Sequence, residues 1–381
     1  MTGYQKAGAR LGQVSSAGNA MDLFVLNGCT PGRAIVVAHR GPDIAIAQID
    51  LTDPKLKTFT DFVKRVEGVL VHGDERPTAA ELDALGVQLF DHIFSGDVRR
   101  LYDRLPSGRV SIQIITDAPV ISRVPWEYLR PVDRQPVPHR ERCVVRVLPM
   151  CAPTDVKPPK KLKKLRVLLA VADPVDQRGV RWADVEASLQ RVFSSQTDVV
   201  ATLKVVPGAN RTSLLKALES ERFDVFHFLG HGGLVNGQGN LFLVNIATGA
   251  TDSVSADDVA IALAGQNLKL CILSACLTGA STAKDDFAPV ATALVRAGIP
   301  AVVANQTSIP TKSVAPFVSA LYARLLRDGN IDSAVMAGRV ALQLELRQTI
   351  AAKDAVVEWG IPTLYRLPGD GQIFAGAGGG E

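Results

Sequence analysis

Beyond residue 165 the chain alternates near-continuously apolar runs with helical stretches of about ten residues, and this pattern restricts the fold more than any other feature. The apolar runs are RVLLAVAD from Arg166, FDVFHFLG from Phe223, LKLCILS from Leu268 and IPAVVAN from Ile299. Between them lie WADVEASLQRVFSS, RTSLLKALES, SADDVAIALAG and FAPVATALVRAG, each amphipathic at helical spacing. A run that is apolar on both faces is a strand buried on both faces. Strands that alternate with helices form β-α-β units around a largely parallel sheet. In such a sheet ligands and reactive groups collect beyond the carboxyl ends of the strands, so chemistry is sought there first.

The first 150 residues read differently. DLFVLNG, AIVVAH and IAIAQIDL, separated by turn residues, form a small antiparallel meander over residues 21–51. Helices follow around Asp61 to Leu70 and from Thr78, a good N-cap, and then strands VSIQIIT and CVVRVLP flank a VPWEYL element. The Pro- and Lys-rich segment 151–165 cannot join a sheet interior and reads as a linker. The expected organisation is a β-rich region over 1–80, a first half over 81–150, the linker over 151–165, a second half over 166–368 and a tail over 369–381 too glycine-rich to order itself. Two long amphipathic helices, from Ser313 to Arg327 and from Ile331 to Ala351, precede a last strand from Pro362 to Leu367.

Composition narrows the function. With 381 residues, 47% apolar content and a formal charge of only +4, the chain is neither disordered nor a general nucleic-acid binder. The lysines of the linker are a solvated run, and their sharper reading is contact with a partner or nucleic acid. Neither a leader-like apolar segment nor a run of ~18 apolar residues occurs, so a soluble, cytoplasmic protein without a membrane span is expected. Cys29, Cys143, Cys151, Cys271 and Cys276 form an odd set without a C-x-x-C pair, against both a disulfide framework and a zinc ribbon. No phosphate-binding glycine motif is present, and no cofactor is expected.

Two strand ends carry candidate chemistry. Phe223 to Leu229 is followed by Gly230, His231, Gly232 and Gly233; Leu268 to Ser274 is followed by Ala275, Cys276, Leu277 and Thr278. Each reactive residue falls two positions past its expected strand end, in a turn rich in small residues. The 45 positions that separate them hold a short insertion, LFLVNIATGATD, one helix from Ser255, and a return strand. If the two strands are neighbours they lie about 4.8 Å apart, which brings an imidazole and a thiol within reach of each other. That pair suffices for acyl transfer, with the thiolate as nucleophile and the imidazole as proton carrier; the amides of Gly232 and Cys276 are natural oxyanion donors. His227 shares the phase of His231 and reads as a packed histidine. A zinc site on His227 and His231 lacks the helix and glutamate such a site needs.

Together, FDVFHFLGHGG, KLCILSACLTG and VATALVRAGIPAVVAN resemble the CHAT family of caspase-like cysteine peptidases, which are related to caspases and separases. VPWEYL is similar to a P-W-E-L-L element in that family's inactive first half, and WGIPTLY to its closing W-x-x-P strand; the likeness runs from about Leu85 to Leu367. The resemblance implies a caspase-like three-layer sandwich with His231 as general acid/base and Cys276 as nucleophile. It implies regulated cuts at a specific site in a partner protein, with an activating partner as a further expectation. Bacterial defence or regulated cell death, by cleavage of an effector such as a gasdermin-like pore former, is the implied setting. Caspases carry Gln two residues before the nucleophile and metacaspases an acid, where this chain has Ser274. An acid for a basic P1 residue would have to come from Asp285 and Asp286, or from Asp257 and Asp258. The alternative is a scaffold on the same fold whose Cys/His pair is vestigial.

Overall fold

The computed structural model describes residues 20–375 apart from 29, 31, 106–109, 117–118, 132–141, 149–162, 178, 181, 197, 278–287 and 308. The strands of the first half are β1 (Ala20–Asn27), β2 (Arg33–Arg40), β3 (Asp43–Asp50), β4 (Val110–Thr116) and β5 (Arg142–Val147). Those of the second are β6 (Lys164–Val171), β7 (Val200–Val206), β8 (Val225–Val235), β9 (Gln238–Val244), β10 (Thr251–Ser255), β11 (Leu270–Leu277), β12 (Ala301–Asn305), β13 (Ile309–Pro310) and β14 (Pro362–Arg366). The longer helices are α1 (Pro54–Glu67), α2 (Ala79–Ile93), α3 (Gly96–Asp103), α4 (Ala183–Ser194), α5 (Arg211–Ser220), α6 (Ala256–Leu263), α7 (Ala288–Arg296), α8 (Thr311–Asp328) and α9 (Ile331–Arg347).

The ladder runs β7-β6-β8-β11-β12-β14-β5-β4-β1-β2-β3, so strands from both ends of the sequence share one sheet. Strands β7, β6, β8, β11 and β12 are mutually parallel. β14 runs antiparallel to β12 yet parallel to β5, and β5, β4 and β1 continue in that sense before the β1-β2-β3 meander closes the edge. Two parallel blocks of opposite direction therefore meet at β12 and β14. The chain goes outward from β6 to β7 and then crosses back to β8 on the other flank, so its winding reverses between β6 and β8.

Both faces of the second-half sheet are covered, which explains its apolar strands. On one face Val167, Leu169, Val225, Leu229, Ile272 and Val303 pack with Leu189 and Phe193 of α4 and Val318 and Tyr322 of α8. On the other, Leu168, Phe226, Phe228, Leu273 and Val302 meet α5, α6 and α7. Helix starts are set by side-chain caps: Thr78 with Glu81 on α2, Asn210 with Ser213 on α5, Ser255 on α6 and Asn330 on α9. The turn from α8 to α9 needs Gly329 at φ 69°, a left-handed position whose Cβ would strike the Phe374 carbonyl.

The two halves are joined by buried polar contacts. Arg366 of β14 donates two 2.9 Å bonds to Asp332 of α9, which also accepts from Ser111 of β4. Tyr128 Oη donates to the Val357 carbonyl at 2.6 Å, and its ring meets Trp359 edge-on at 4.9 Å. Trp126, Glu127 and Tyr128 of the VPWEYL element are all buried.

Two expectations need correction. Residues 369–375 are held in place: the Gly371 carbonyl accepts from Ile331 N at 2.8 Å, Gln372 Nε2 donates to the Asp328 carbonyl at 2.7 Å, and Phe374 is 4% exposed. The composition of this stretch counts against order, but its backbone bonds to the α8–α9 turn outweigh that. The second concerns the strand ends, where β8 and β11 both run past the turns assigned to them. Of the linker segment, 151–162 lies outside the described residues, and Lys164 already opens β6.

Candidate active site

β8 and β11 pair in parallel from Val225↔Leu270 to Gly230↔Ala275. One step further along, the ladder changes. His231 pairs with Phe242 of β9, and Cys276 pairs with Ile309 of β13. The two strands part directly after Gly230 and Ala275, with His231 and Cys276 as the first residues beyond the shared ladder. β8 continues because Asn236 (φ 52°) and Gly237 (φ 79°) turn it into an antiparallel hairpin with β9. Both central residues at positive φ are the geometry of a tight two-residue turn, for which Asn-Gly is the favoured pair. The insertion between His231 and Cys276 is therefore sheet, β9 and β10, and the helix after it is α6 with Ser255 accepting from Asp258 N at 3.1 Å.

The side chain of His231 is 1% exposed. Strand alternation and register put Val225, His227, Leu229, Ile272 and Ser274 on the face that carries α4 and α8. His231 follows in the same phase along β8. His227 and Ser274, earlier on the same two strands, are buried, and His227 Nε2 lies 3.3 Å from Ser274 Oγ. Tyr322 of α8 closes the other side, with its Oη 3.5 Å from His227 Nδ1 and its ring stacked at 6.1 Å. Burial pushes the Tyr322 hydroxyl well above its ordinary range, so it stays protonated and donates to Nδ1. Burial also lowers the His227 pKa to about 3, leaving the ring neutral; Nε2 then carries the proton toward Ser274 Oγ. Both ring nitrogens of His227 have partners, as a packed histidine should, and neither is left for a metal.

The remaining candidates are scattered. Gly232 pairs with Leu241 across the hairpin. Ser274, a candidate for the substrate pocket, is 4% exposed with its hydroxyl toward His227. Asp257 and Asp258 are exposed in the first turn of α6, a helix packed on the opposite face of the sheet from His227. Asp285 and Asp286 lie outside the described residues, as do Cys29 and Cys151. Cys143 and Cys271 are buried free thiols whose pKa burial pushes upward. Tyr322 and the Asn305–Ile309 loop that returns to Cys276 were not anticipated; a tyrosine in an amphipathic helix carries no signal of its partner.

In overall shape the chain is similar to the separase of a Saccharomyces cerevisiae separase–securin complex, at 11% identity and a TM-score of 0.49, over 95% of this chain and 31% of that one. It spans less than a third of that separase's length. It is also similar to the Arg-specific cysteine proteinase gingipain R, at 12% identity and a TM-score of 0.45, over 96% of this chain and 80% of that one. No curated protein matches the sequence. A family model described as CHAT domain matches residues 83–365, a span that holds both strand ends, the VPWEYL element and all but the last residue of β14. By that match over most of its length, the chain belongs to the CHAT domain family.

Proposed function

We propose that this protein is a cysteine endopeptidase in which Cys276 is the nucleophile and His231 the general acid/base. The observation that carries the reading is the register: the parallel ladder of β8 and β11 ends at Gly230↔Ala275, and the next residue on each strand is the histidine and the cysteine. The pair stands just beyond the carboxyl end of the ladder shared by two neighbouring strands, beside the reversal of winding between β6 and β8. In the mechanism His231 takes the thiol proton, the Cys276 sulfur attacks the scissile carbonyl, and the proton passes to the leaving amine as the C–N bond breaks. Water then hydrolyses the thioester, with the amides of Gly232 and Cys276 as candidate donors to the oxyanion.

The finer reading is a cytoplasmic enzyme that makes regulated cuts in one partner protein, an effector of bacterial defence or cell death such as a gasdermin-like pore former. Family membership supports that part. Site chemistry is tested by iodoacetamide labelling of the folded protein followed by peptide mass analysis. Cys276 should be alkylated ahead of Cys143 and Cys271, whose burial raises their pKa and closes them to reagent. His231→Ala should slow Cys276 alone. Uniform slow labelling of all three thiols would reduce the protein to a scaffold on this fold.

A further inference from the structure

The edge of β11 that faces β12 is completed by a loop. β12 pairs with β11 only as far as Ala304↔Leu273, and pairing resumes at Ile309↔Cys276. The chain thus leaves β11 after Ala304 and rejoins it at Ile309, at the nucleophile's own rung. Gln306, second in that loop, is tied at three points. Its backbone N–H donates to the Ile361 carbonyl at 3.1 Å, and its side-chain Nε2 donates to Thr363 Oγ1 at 2.6 Å and to Glu127 Oε2 at 2.7 Å. Ile361 and Thr363 flank the start of β14, whereas Glu127 lies 179 residues earlier, in the VPWEYL element of the first half.

Glu127 is a rigid anchor. It is fully buried, and Arg146 of β5 holds both its oxygens, Nε to Oε1 at 3.2 Å and Nη2 to Oε2 at 2.9 Å. Arg146 is fixed in turn by the carbonyls of Ser122 and Val124. Burial works to raise the Glu127 carboxyl, and the guanidinium more than reverses this, so the acceptor Gln306 meets is an ionised carboxylate. Hydrogen bonds to ionised acceptors are roughly twice as strong as neutral ones and hold their geometry tightly.

From this chain of contacts we infer that Glu127 is a positioning residue for the active site: the first half fixes, through Glu127 and Gln306, the loop that sets the rung of Cys276. The inference rests on the peptidase reading above. A role in packing alone would make Glu127 one of several interchangeable joints between the halves, such as Ser111 with Asp332 at the far end of β14.

The test compares the full-length wild type with Gln306→Leu, Glu127→Gln and Ser111→Ala. Two quantities are read for each: the rate of Cys276 alkylation by iodoacetamide across pH, and the melting temperature. Gln306→Leu leaves the Arg146–Glu127 pair intact; it should slow alkylation about tenfold or more, as a misplaced reacting group does, with little change in melting temperature. Glu127→Gln should slow it in the same direction while also melting earlier. Ser111→Ala should melt earlier with alkylation unchanged. The inference is overturned if Gln306→Leu alkylates at the wild-type rate, or if alkylation in the three variants merely tracks melting temperature. A wild-type Cys276 no more reactive than Cys271 would overturn the peptidase reading, and this inference with it.

Discussion

His227, earlier than His231 on the same strand, makes the fold sensitive to acid. In the folded protein its pKa is lowered to about 3 by burial, against 6.5 for an unhindered histidine. Below pH 6.5 the unfolded chain takes up a proton that the folded one refuses, so stability from this group is complete above 6.5 and lost as pH falls. The loss is about 1.4 kcal/mol per pH unit, or about 2 kcal/mol by pH 5, and it continues toward the folded value. At about 2.1 cal/mol/K of unfolding entropy per residue, that corresponds to a melting temperature about 2–3 °C lower. His227→Gln keeps an amide to donate to Ser274 Oγ but cannot titrate. Thermal melts of both proteins at pH 8, 6.5 and 5 give the difference, in which every other titrating group cancels. The variant should be somewhat less stable at pH 8, because Tyr322 loses its acceptor, and the two curves should converge or cross by pH 5. Parallel curves would mean that His227 already charges in the folded state, and the buried His227–Ser274–Tyr322 arrangement would be wrong.

Asp22 gives the opposite slope. It is 2% exposed on β1 beside His39 and within the field of Arg366, and burial prevails over their favourable interactions to raise its pKa to about 6. The folded state holds this proton after the unfolded chain has released it at 3.8, so stability falls as pH rises from 3.8 to 6, by up to about 3 kcal/mol. Asp22→Asn should therefore gain stability at pH 7.5 relative to pH 4, measured by urea unfolding at both; an equal effect at the two pH values would refute the buried-acid account. Gly338→Ala addresses the packing of α8 on α9. A Cβ at Gly338 would sit 2.6 Å from the Phe317 ring and 3.0 Å from its carbonyl. Overpacking of about 1–3 kcal/mol should exceed the helix-propensity gain of about 1 kcal/mol, giving a lower melting temperature; a stabilised variant would show that the two helices have room to separate.

The β-α-β half was legible because strands buried on both faces leave an unbroken apolar record, as in β6, β8, β11 and β12. The β8–β11 pairing, whose shared ladder ends just before residues 231 and 276, was legible for the same reason, since one crossover between two such strands makes neighbours of them. Strand ends were not. The run GHGGLV has the small residues of a turn, yet it continues β8 because Asn236-Gly237 forms a hairpin with β9, and that dipeptide was the available signal. The three N-terminal strands were legible as a meander, but periodicity within a strand says nothing about which foreign strand it joins, so the β1–β4 pairing had no sequence signature. Ser274 shows the same limit. Its place two residues before Cys276 suggested a pocket wall, while its contact with His227 follows from the β8–β11 register, which only the assembled sheet fixes.

The central claim is that Cys276 and His231 cut peptide bonds. It is tested most directly by exposing a diverse peptide library to the wild type and to Cys276→Ala under identical conditions, with cleavage sites read by mass spectrometry. The account requires a restricted set of cut sites for the wild type and none for the variant. Cleavage that survives in Cys276→Ala, at the same sites and rates, would contradict it.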